Sequence, residues 1–193
     1  MGKARNSVRT SVTRHAAFLR AINVGGRRIK MNHLRELFES LGFSNVETFS
    51  ASGNLIFDSE ADDARMLERK IEDHLQEALG YEVATFVRSA SELAGISPYR
   101  PFDPSDLGSE AASLYIAFLQ APPSAEAEQK LMAHRSEVDD FRVHGREVYW
   151  LCRVKMSESS FSGALLEKTI GTPASVRNAT TVQKLVAKYP ASE

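Results

Sequence analysis

The chain has 193 residues, of which 24 are Lys or Arg and 25 are Asp or Glu, so its formal net charge is −1. A balance so near zero produces no protein-wide field for nucleic acid or anionic lipid, and any anion site must come from a local basic cluster. Hydrophobic residues make up 42% and charged residues 25%, which excludes a disordered or fibrous chain. The single cysteine, Cys152, excludes an internal disulfide and indicates a reducing compartment.

The N-terminal residues 1–13 are polar and basic and lack the apolar stretch of a signal peptide. We expect them to form a flexible leader. No run approaches the roughly 18 apolar residues of a membrane span. The sequence therefore predicts a cytoplasmic protein without a membrane partner.

The first half of the chain alternates strand and helix patterns. Leu34, Leu37 and Phe38 recur with helical spacing, and Asn32 is the expected N-cap of that helix. Ser89 and Glu92 form a capping-box pattern that begins another helix. The predicted elements before it are a strand over 15–22, a helix ending before Gly42, strands over 46–50 and 54–57, a helix over 61–79 and a strand over 81–87.

The second half repeats this order after a proline-rich stretch at 98–108, which excludes a continuous helix and predicts a linker. The predicted elements that follow are a strand over 113–119, a helix over about 124–136, strands over 140–143 and 147–152, a helix over 163–170, a strand over 174–177 and a helix over about 180–189.

Short strings recur in the same order in both halves. Ala17-Phe18-Leu19 corresponds to Ala117-Phe118-Leu119, and Val87-Arg88-Ser89 corresponds to Val176-Arg177-Asn178. Each half reads as βαββαβ followed by an extra helix, the order of a ferredoxin-like fold. We therefore expect an α+β protein of two tandem ferredoxin-like subdomains with antiparallel sheets, at 14–98 and 112–190, joined by a linker at 99–111.

A basic loop with paired glycines follows the first strand. It comprises Asn23, Val24, Gly25, Gly26, Arg27, Arg28, Ile29 and Lys30, and residues 20–35 include five Lys or Arg and no acid. Paired glycines let backbone N–H groups approach an anion, and the next helix N-terminus adds partial positive charge. The spacing matches neither a dinucleotide-binding motif nor a P-loop. Two interpretations stay open: an anion site, or a tight turn with solvated arginines.

Two arginines end strands immediately before capped helices: Arg88 in the first half, and Arg177, followed by Asn178, in the second. A guanidinium fork beside a helix N-terminus suits a carboxylate or a phosphate. The alternative is that each arginine pairs with neighbouring acids and holds the corner between strand and helix.

Ser52 and Asn54 flank Gly53 at the first hairpin turn. The nucleophile elbow of hydrolases is absent because Ser50 stands where that motif needs glycine, and turn chemistry alone accounts for these residues. The five histidines form no H-x-x-x-H pair. The sequence predicts no metal and no cofactor.

Several strings together resemble a bacterial domain-of-unknown-function family, sixteen-ninety-seven. They are the opening Phe18 to Gly26 with Lys30 and Met31, the turn Ser52-Gly53-Asn54, and an ending from Leu165 through Arg177-Asn178 to Leu185. The likeness spans about residues 16–187. It implies tandem ferredoxin-like subdomains, in agreement with the duplication, and leaves the biochemical function unassigned.

The resemblance also singles out polar and glycine positions at turns and element ends, where function concentrates. The matching residues are Arg20, Asn23, Gly25, Gly26, Lys30, Ser52, Asn54, Arg177, Asn178 and Lys184. The chain departs from the family pattern at Ala21, where a glycine is usual, and at Ala51, where a glutamine is usual. It also has Ser160 where the family has a lysine, and Ala179-Thr180 where the family has Trp-Asn.

The leading hypothesis is a binding module whose basic crevice, between the subdomains, takes a small anionic ligand or a nucleic-acid backbone. The crevice would combine the loop 23–30 with Arg88 and Arg177. The first alternative is a metal-independent enzyme that uses Ser52, Asn54 and Lys30 in acyl or phosphoryl chemistry. The second is an interaction scaffold that dimerises.

Overall fold

The first half forms one four-stranded sheet with helices on one face. A computed structural model describes residues 12–23, 28–50, 53–107 and 112–191. In chain order the first half contains β1 (Thr13–Leu19), α1 (Met31–Ser40), β2 (Ser44–Phe49), β3 (Asn54–Ser59), α2 (Ala64–Leu79), β4 (Thr85–Ser89) and α3 (Ala90–Ile96). Its strands are ordered β2-β3-β1-β4 and all neighbours are antiparallel, as in a ferredoxin-like sheet.

The second half repeats this arrangement. It contains β5 (Ser113–Phe118), α4 (Ala125–Met132), β6 (Asp139–His144), β7 (Glu147–Cys152), α5 (Gly163–Ile170), β8 (Ser175–Asn178) and α6 (Ala179–Lys188). Its strand order is β6-β7-β5-β8, again antiparallel throughout. The predicted α+β fold of two tandem ferredoxin-like halves is confirmed.

The two sheets share a central core because the inner strands carry apolar residues on both faces. In β1, Phe18 faces the central core, whereas Ala17 and Leu19 face α1 and α2. In β5, Phe118 likewise faces the central core, where its ring stacks on that of Phe18 with centroids 4.0 Å apart. The extra helices α3 and α6 contribute to the same core. The duplication therefore buries the two sheets against each other.

Capping residues explain several helix ends. Asp63 accepts a hydrogen bond from the Met66 N–H and begins α2, and Gly80, in the left-handed conformation, ends it. The predicted capping box of Ser89 and Glu92 is present at the start of α3. These local signals set the ends of helices on both faces of the first sheet, α2 on the outer face and α3 against the central core.

Some predicted boundaries are wrong. β4 occupies Thr85–Ser89 rather than 81–87, since it pairs with β1 only from Leu19 back to His15. The helix predicted to reach residue 136 ends at Met132. Ser136 lies in the turn before β6, where its hydroxyl accepts the Asp139 N–H. α1 begins at Met31, so Asn32 lies inside the helix rather than capping it.

The stretch predicted as a linker packs against the protein. Phe102 is 8% exposed and joins the central core, and Pro104–Leu107 forms a 3-10 helix. The proposed subdomain boundaries stay predictions. None of the helices in the described ranges has the length and apolar character needed to cross a membrane.

Candidate functional site

The first strand-end arginine lies between the two sheets. Arg88 is fully buried, and its Nε donates to Glu147 Oε1 at 2.6 Å. One terminal nitrogen donates to the Leu119 carbonyl at 2.7 Å, and the guanidinium lies 5.5 Å from the ring of Phe118. Burial lowers the pKa of Arg88, and the Glu147 carboxylate opposes that shift. Arg88 therefore ties the first half to the second.

The second strand-end arginine makes equivalent bonds in the opposite direction. Arg177 donates from Nε to Asn54 Oδ1 at 2.6 Å and from a terminal nitrogen to the Leu19 carbonyl at 2.8 Å. Its guanidinium lies 6.0 Å from the ring of Phe18. Burial lowers the pKa of Arg177 to about 10. Asn54 begins β3 as Glu147 begins β7, so an amide and a carboxylate occupy corresponding positions.

The structure brings Arg177 and Asn54 together but places Arg88 at a different corner. In the described ranges, no hydrogen bond or ion pair joins the two guanidinium groups. Arg88 belongs to the first half and binds the second, whereas Arg177 belongs to the second half and binds the first. Both are held by protein groups inside the interface. This matches the alternative interpretation, in which the arginines hold the corners, more closely than a shared open crevice.

Arg20 also joins the two halves, at the end of β1. Its guanidinium forms a two-bonded ion pair with the Glu167 carboxylate of α5, although 44% of the arginine side chain is exposed. The hydrogen bonds that Arg20 donates to the Glu167 carboxylate raise the pKa of Arg20. Glu167 also accepts the Ala174 N–H at 2.8 Å, which anchors the start of β8.

The loop after β1 is shaped by its own side chains. Asn23 is exposed, and its Oδ1 accepts the Ile29 N–H at 2.9 Å, which draws the two ends of the loop together. Ala21 has φ of +52°, a left-handed conformation that explains why the family prefers glycine there. Of the predicted site residues, Gly25, Gly26 and Ser52 lie outside the described residues.

Gly53 is required by the packing of the first hairpin against this loop. It has φ of +74°, and a Cβ there would lie 2.6 Å from the Ile22 side chain. Its carbonyl accepts the Leu19 N–H at 2.8 Å. The hairpin turn and the start of the basic loop are therefore in direct contact.

A groove opens where the basic loop meets α1 and the end of α2. We call it the α1 groove; its volume is about 460 Å³, and it is lined by Arg28, Ile29, Lys30, His33, Ala78, Leu79 and Tyr81. Arg28, Lys30 and His33 are exposed, whereas Ile29, Leu79 and Tyr81 are half-buried. Within the described ranges, no carboxylate forms an ion pair with Arg28 or Lys30, and His33 lies 3.5 Å from Glu36. The groove thus combines basic side chains with an apolar wall.

The N-terminus of α1 opens beside these basic residues without a capping side chain. Its N-cap position is Lys30, whose side chain cannot accept a hydrogen bond, and its first turn has no acidic residue. The other α-helices of the described residues all begin with a side chain that accepts a backbone N–H. The first turn of α1 therefore has N–H groups without the N-cap side-chain acceptor that the other described helices have.

The remaining predicted residues lie on α6. Asn178 caps this helix by accepting the Thr180 N–H at 2.8 Å, and Lys184 is exposed on its surface. Sequence reasoning missed Glu147 and Glu167, the acids that hold Arg88 and Arg20. Glu147 could have been found by aligning the hairpins of the two halves, since it begins β7 as Asn54 begins β3, although it lies two residues after Gly145 and Asn54 lies one residue after Gly53. No group of three potential metal ligands occurs in the part of the chain that is described.

Two sheets of identical strand order, packed face to face and crossed by paired arginines, define a duplicated ferredoxin-like protein. Comparison with protein families gives a match over residues 12–149 to the family described as Protein of unknown function (DUF1697). The chain belongs to this family, as its motifs imply. Arg177, Asn178 and Lys184 lie beyond the matched residues.

A solved structure shows the same fold. It is that of conserved bacterial protein SP0830 from Streptococcus pneumoniae, with a TM-score of 0.66 and 23% sequence identity over 92% of this chain and 98% of that chain. At this identity the similarity concerns the fold alone. A search of curated proteins found no significant match.

Proposed function

We propose that the chain is a binding module for a small anionic ligand, and that the ligand binds in the α1 groove. The observation that carries the proposal is the meeting of three exposed basic side chains with an uncapped helix N-terminus. Arg28 and Lys30 supply the positive charge, and His33 adds a ring that can donate a hydrogen bond. The first N–H groups of α1 supply hydrogen-bond donors that no side chain of the helix occupies.

The difference between the halves supports this location. The connection from β1 to α1 is eleven residues long (20–30), whereas the equivalent connection from β5 to α4 has six (119–124). In the shorter connection Ser124 caps α4 by accepting the Ala127 N–H at 3.1 Å. The scaffold thus forms with a short, capped turn in the second half, and the longer basic connection in the first half is the part that differs between the two.

Several residues of the family motifs hold the start of the same loop. Leu19, immediately before the loop, has a carbonyl that accepts from Arg177, and Arg20 is held by Glu167. Asn54 in turn holds Arg177. In this proposal these residues position the start of the loop rather than contact the ligand.

A small ligand fits the groove better than a nucleic acid. Its volume of about 460 Å³ lies in the usual range for small-molecule sites, about 300–1,000 Å³. A nucleic-acid backbone needs a series of phosphate contacts along an extended basic surface, and the chain has a net charge of −1. The enzyme hypothesis gains no support, because Lys30 is exposed and Asn54 is fully buried against Arg177.

Isothermal titration with inorganic phosphate, succinate and a short single-stranded RNA tests the proposal. The variant Arg28→Ala/Lys30→Ala removes two groove cations, and Arg69→Ala, at an exposed position of α2 outside the groove lining, is the matched control. Each charge-assisted hydrogen bond is worth about 1.5–3 kcal/mol, so the double variant should lose at least about 10-fold in affinity. The control should bind as the wild type does.

Failure of the wild-type protein to bind either small anion would reject the proposal. Equal losses in the double variant and in Arg69→Ala would also reject it, because binding would then follow overall charge rather than the groove. RNA binding that exceeds binding of both small anions would favour the nucleic-acid alternative.

A further inference from the structure

We infer that the α1 groove takes a phosphate monoester whose ester group is flat and apolar, an inference that rests on the proposed function. Four features of the groove support this class of ligand: its charge, its donors, its apolar wall and its size.

The groove carries more positive charge than a single carboxylate can neutralise. Arg28 and Lys30 are exposed at the groove and form no ion pair with a described carboxylate, and His33 adds a third nitrogen base. A phosphate monoester carries about −1.5 to −2 at neutral pH, with three strong acceptor oxygens. Two permanent cations match that charge, whereas a monocarboxylate would leave one of them without compensation.

The donors around the charged end are also numerous. An arginine presents planar paired N–H groups and a lysine ammonium presents three more. Lys30 stands directly at the N-cap of α1. A tetrahedral oxyanion can accept from several directions at once, as this arrangement requires.

Part of the groove wall is apolar. Ile29 and Leu79 are half-buried there, and the Tyr81 hydroxyl donates to the Ile22 carbonyl at 3.5 Å. The half-buried ring of Tyr81 adds aromatic surface to this wall. Aromatic rings bind other flat groups by stacking and by edge contacts, so the wall favours a flat apolar substituent.

The size of the groove separates an ester from free phosphate. A volume of about 460 Å³ is much larger than one oxyanion needs. Inorganic phosphate would contact the basic side chains and leave the wall formed by Ile29, Leu79 and Tyr81 in water. An ester with a flat apolar group would bury both parts, which adds the hydrophobic contribution to the electrostatic one.

The test is a set of isothermal titrations of the full chain with phenyl phosphate, inorganic phosphate and benzoate. Phenyl phosphate should bind at least 10-fold more tightly than either of the others, because it alone has both the dianion and the ring. If benzoate or inorganic phosphate binds as tightly as phenyl phosphate, the ligand class is wrong while small-anion binding stands. If none of the three binds, the proposed function fails as well.

Two variants separate the parts of the groove. Ile29→Ser should weaken phenyl phosphate at least 3-fold and leave inorganic phosphate unchanged, whereas Lys30→Ala should weaken both. Tyr81→Phe keeps the ring and should bind as the wild type does. Ala78 is exposed at the groove, so Ala78→Asp tests the same surface without disturbing the core, and it should weaken both phosphates. An Ala78→Asp protein with unchanged affinities would overturn the inference.

Discussion

The two corners where the halves meet differ in one acceptor. At the first corner, Arg88 donates to the carboxylate of Glu147, and at the second, Arg177 donates to the amide oxygen of Asn54. Both arginines also donate to a carbonyl at the end of the first strand of the opposite half, Leu119 directly after β5 and Leu19 as the last residue of β1. The geometry is therefore the same, while the charge of the acceptor is not.

This difference shows how a duplicated scaffold diverges. The carboxylate compensates a fully buried cation, so the first corner is a neutral pair that removal of either partner would leave charged. At the second corner the described acceptors are neutral dipoles, and burial lowers the pKa of Arg177 to about 10. The second corner adjoins the basic loop, and the first does not.

The largest expected effect is at the first corner. Arg88→Met would leave Glu147 buried without its cation, and breaking a buried pair in this way costs about 3–5 kcal/mol. Urea unfolding at neutral pH measures the loss. A loss below about 1 kcal/mol would mean that water or another group replaces the guanidinium. The ion pair would then not hold the two halves together.

Arg177→Met should cost less, because it leaves behind neutral acceptors instead of a carboxylate. Loss of charge-assisted hydrogen bonds to Asn54 and the Leu19 carbonyl predicts about 2 kcal/mol. The same urea titration gives the comparison directly. If Arg177→Met is as destabilising as Arg88→Met, the identity of the acceptor does not set the strength of the corner.

The starts of α1 and α4 provide a third comparison between the halves. Lys30→Ser gives α1 the cap that Ser124 gives α4, and a new N-cap stabilises a protein by about 0.5–1 kcal/mol. Anion binding should weaken at the same time, since the hydroxyl would occupy an N–H that the proposed ligand uses. Thermal unfolding and phosphate titration of the same sample test both effects. Gains in both stability and affinity would contradict the proposed site.

The smallest effect at neutral pH concerns His15, whose counterpart in the second half is Tyr115. His15 is 1% exposed, stacks on Phe57, and has no hydrogen-bond partner for its ring nitrogens among the described side chains. Burial lowers its pKa from the ordinary 6.5, although the nearby Thr13 backbone and the carboxylates of Asp62, Glu92 and Asp58 oppose the shift. The unfolded chain then binds more protons than the folded one in the window just below pH 6.5.

Stability due to neutral His15 is therefore complete above about pH 6.5 and falls as the pH drops towards the folded pKa. His15→Phe should lose less stability than the wild type between pH 7.5 and 5.5. Tyr115→Phe is the matched control and should keep the wild-type pH dependence. Parallel pH profiles for His15→Phe and the wild type would show that this buried histidine is not the sensor.

Local patterns predicted much of the fold. The capping box at Ser89 and Glu92 and the stops at Gly80 and Gly171 depend on residues within one turn of each other, so they can be recognised without tertiary contacts. The repeated strings around Phe18 and Phe118 predicted the duplication. The predicted N-cap of α1 was wrong. Asn32 fits a local capping pattern, but the helix already begins at Met31 after the long basic loop.

The candidate site was predicted only in part. Charge and glycine content identified the loop at 23–30 from the sequence, and the α1 groove contains Lys30 from that prediction. Ala78, Leu79 and Tyr81 could not be assigned to it, because they are about 50 residues away along the chain and meet the loop only through packing of α2 against α1.

By itself, then, the sequence determined the order of strands and helices, the repeat and the chemistry of the basic loop, since these depend on residue type and short-range spacing. Tertiary structure alone decided where Arg88 and Arg177 go. Both follow a valine and precede a helix-capping residue, yet their roles follow from Glu147 and Asn54, which are 59 and 123 residues away. Partners at such separations are set by sheet pairing and by the packing of the two halves, which no local pattern encodes.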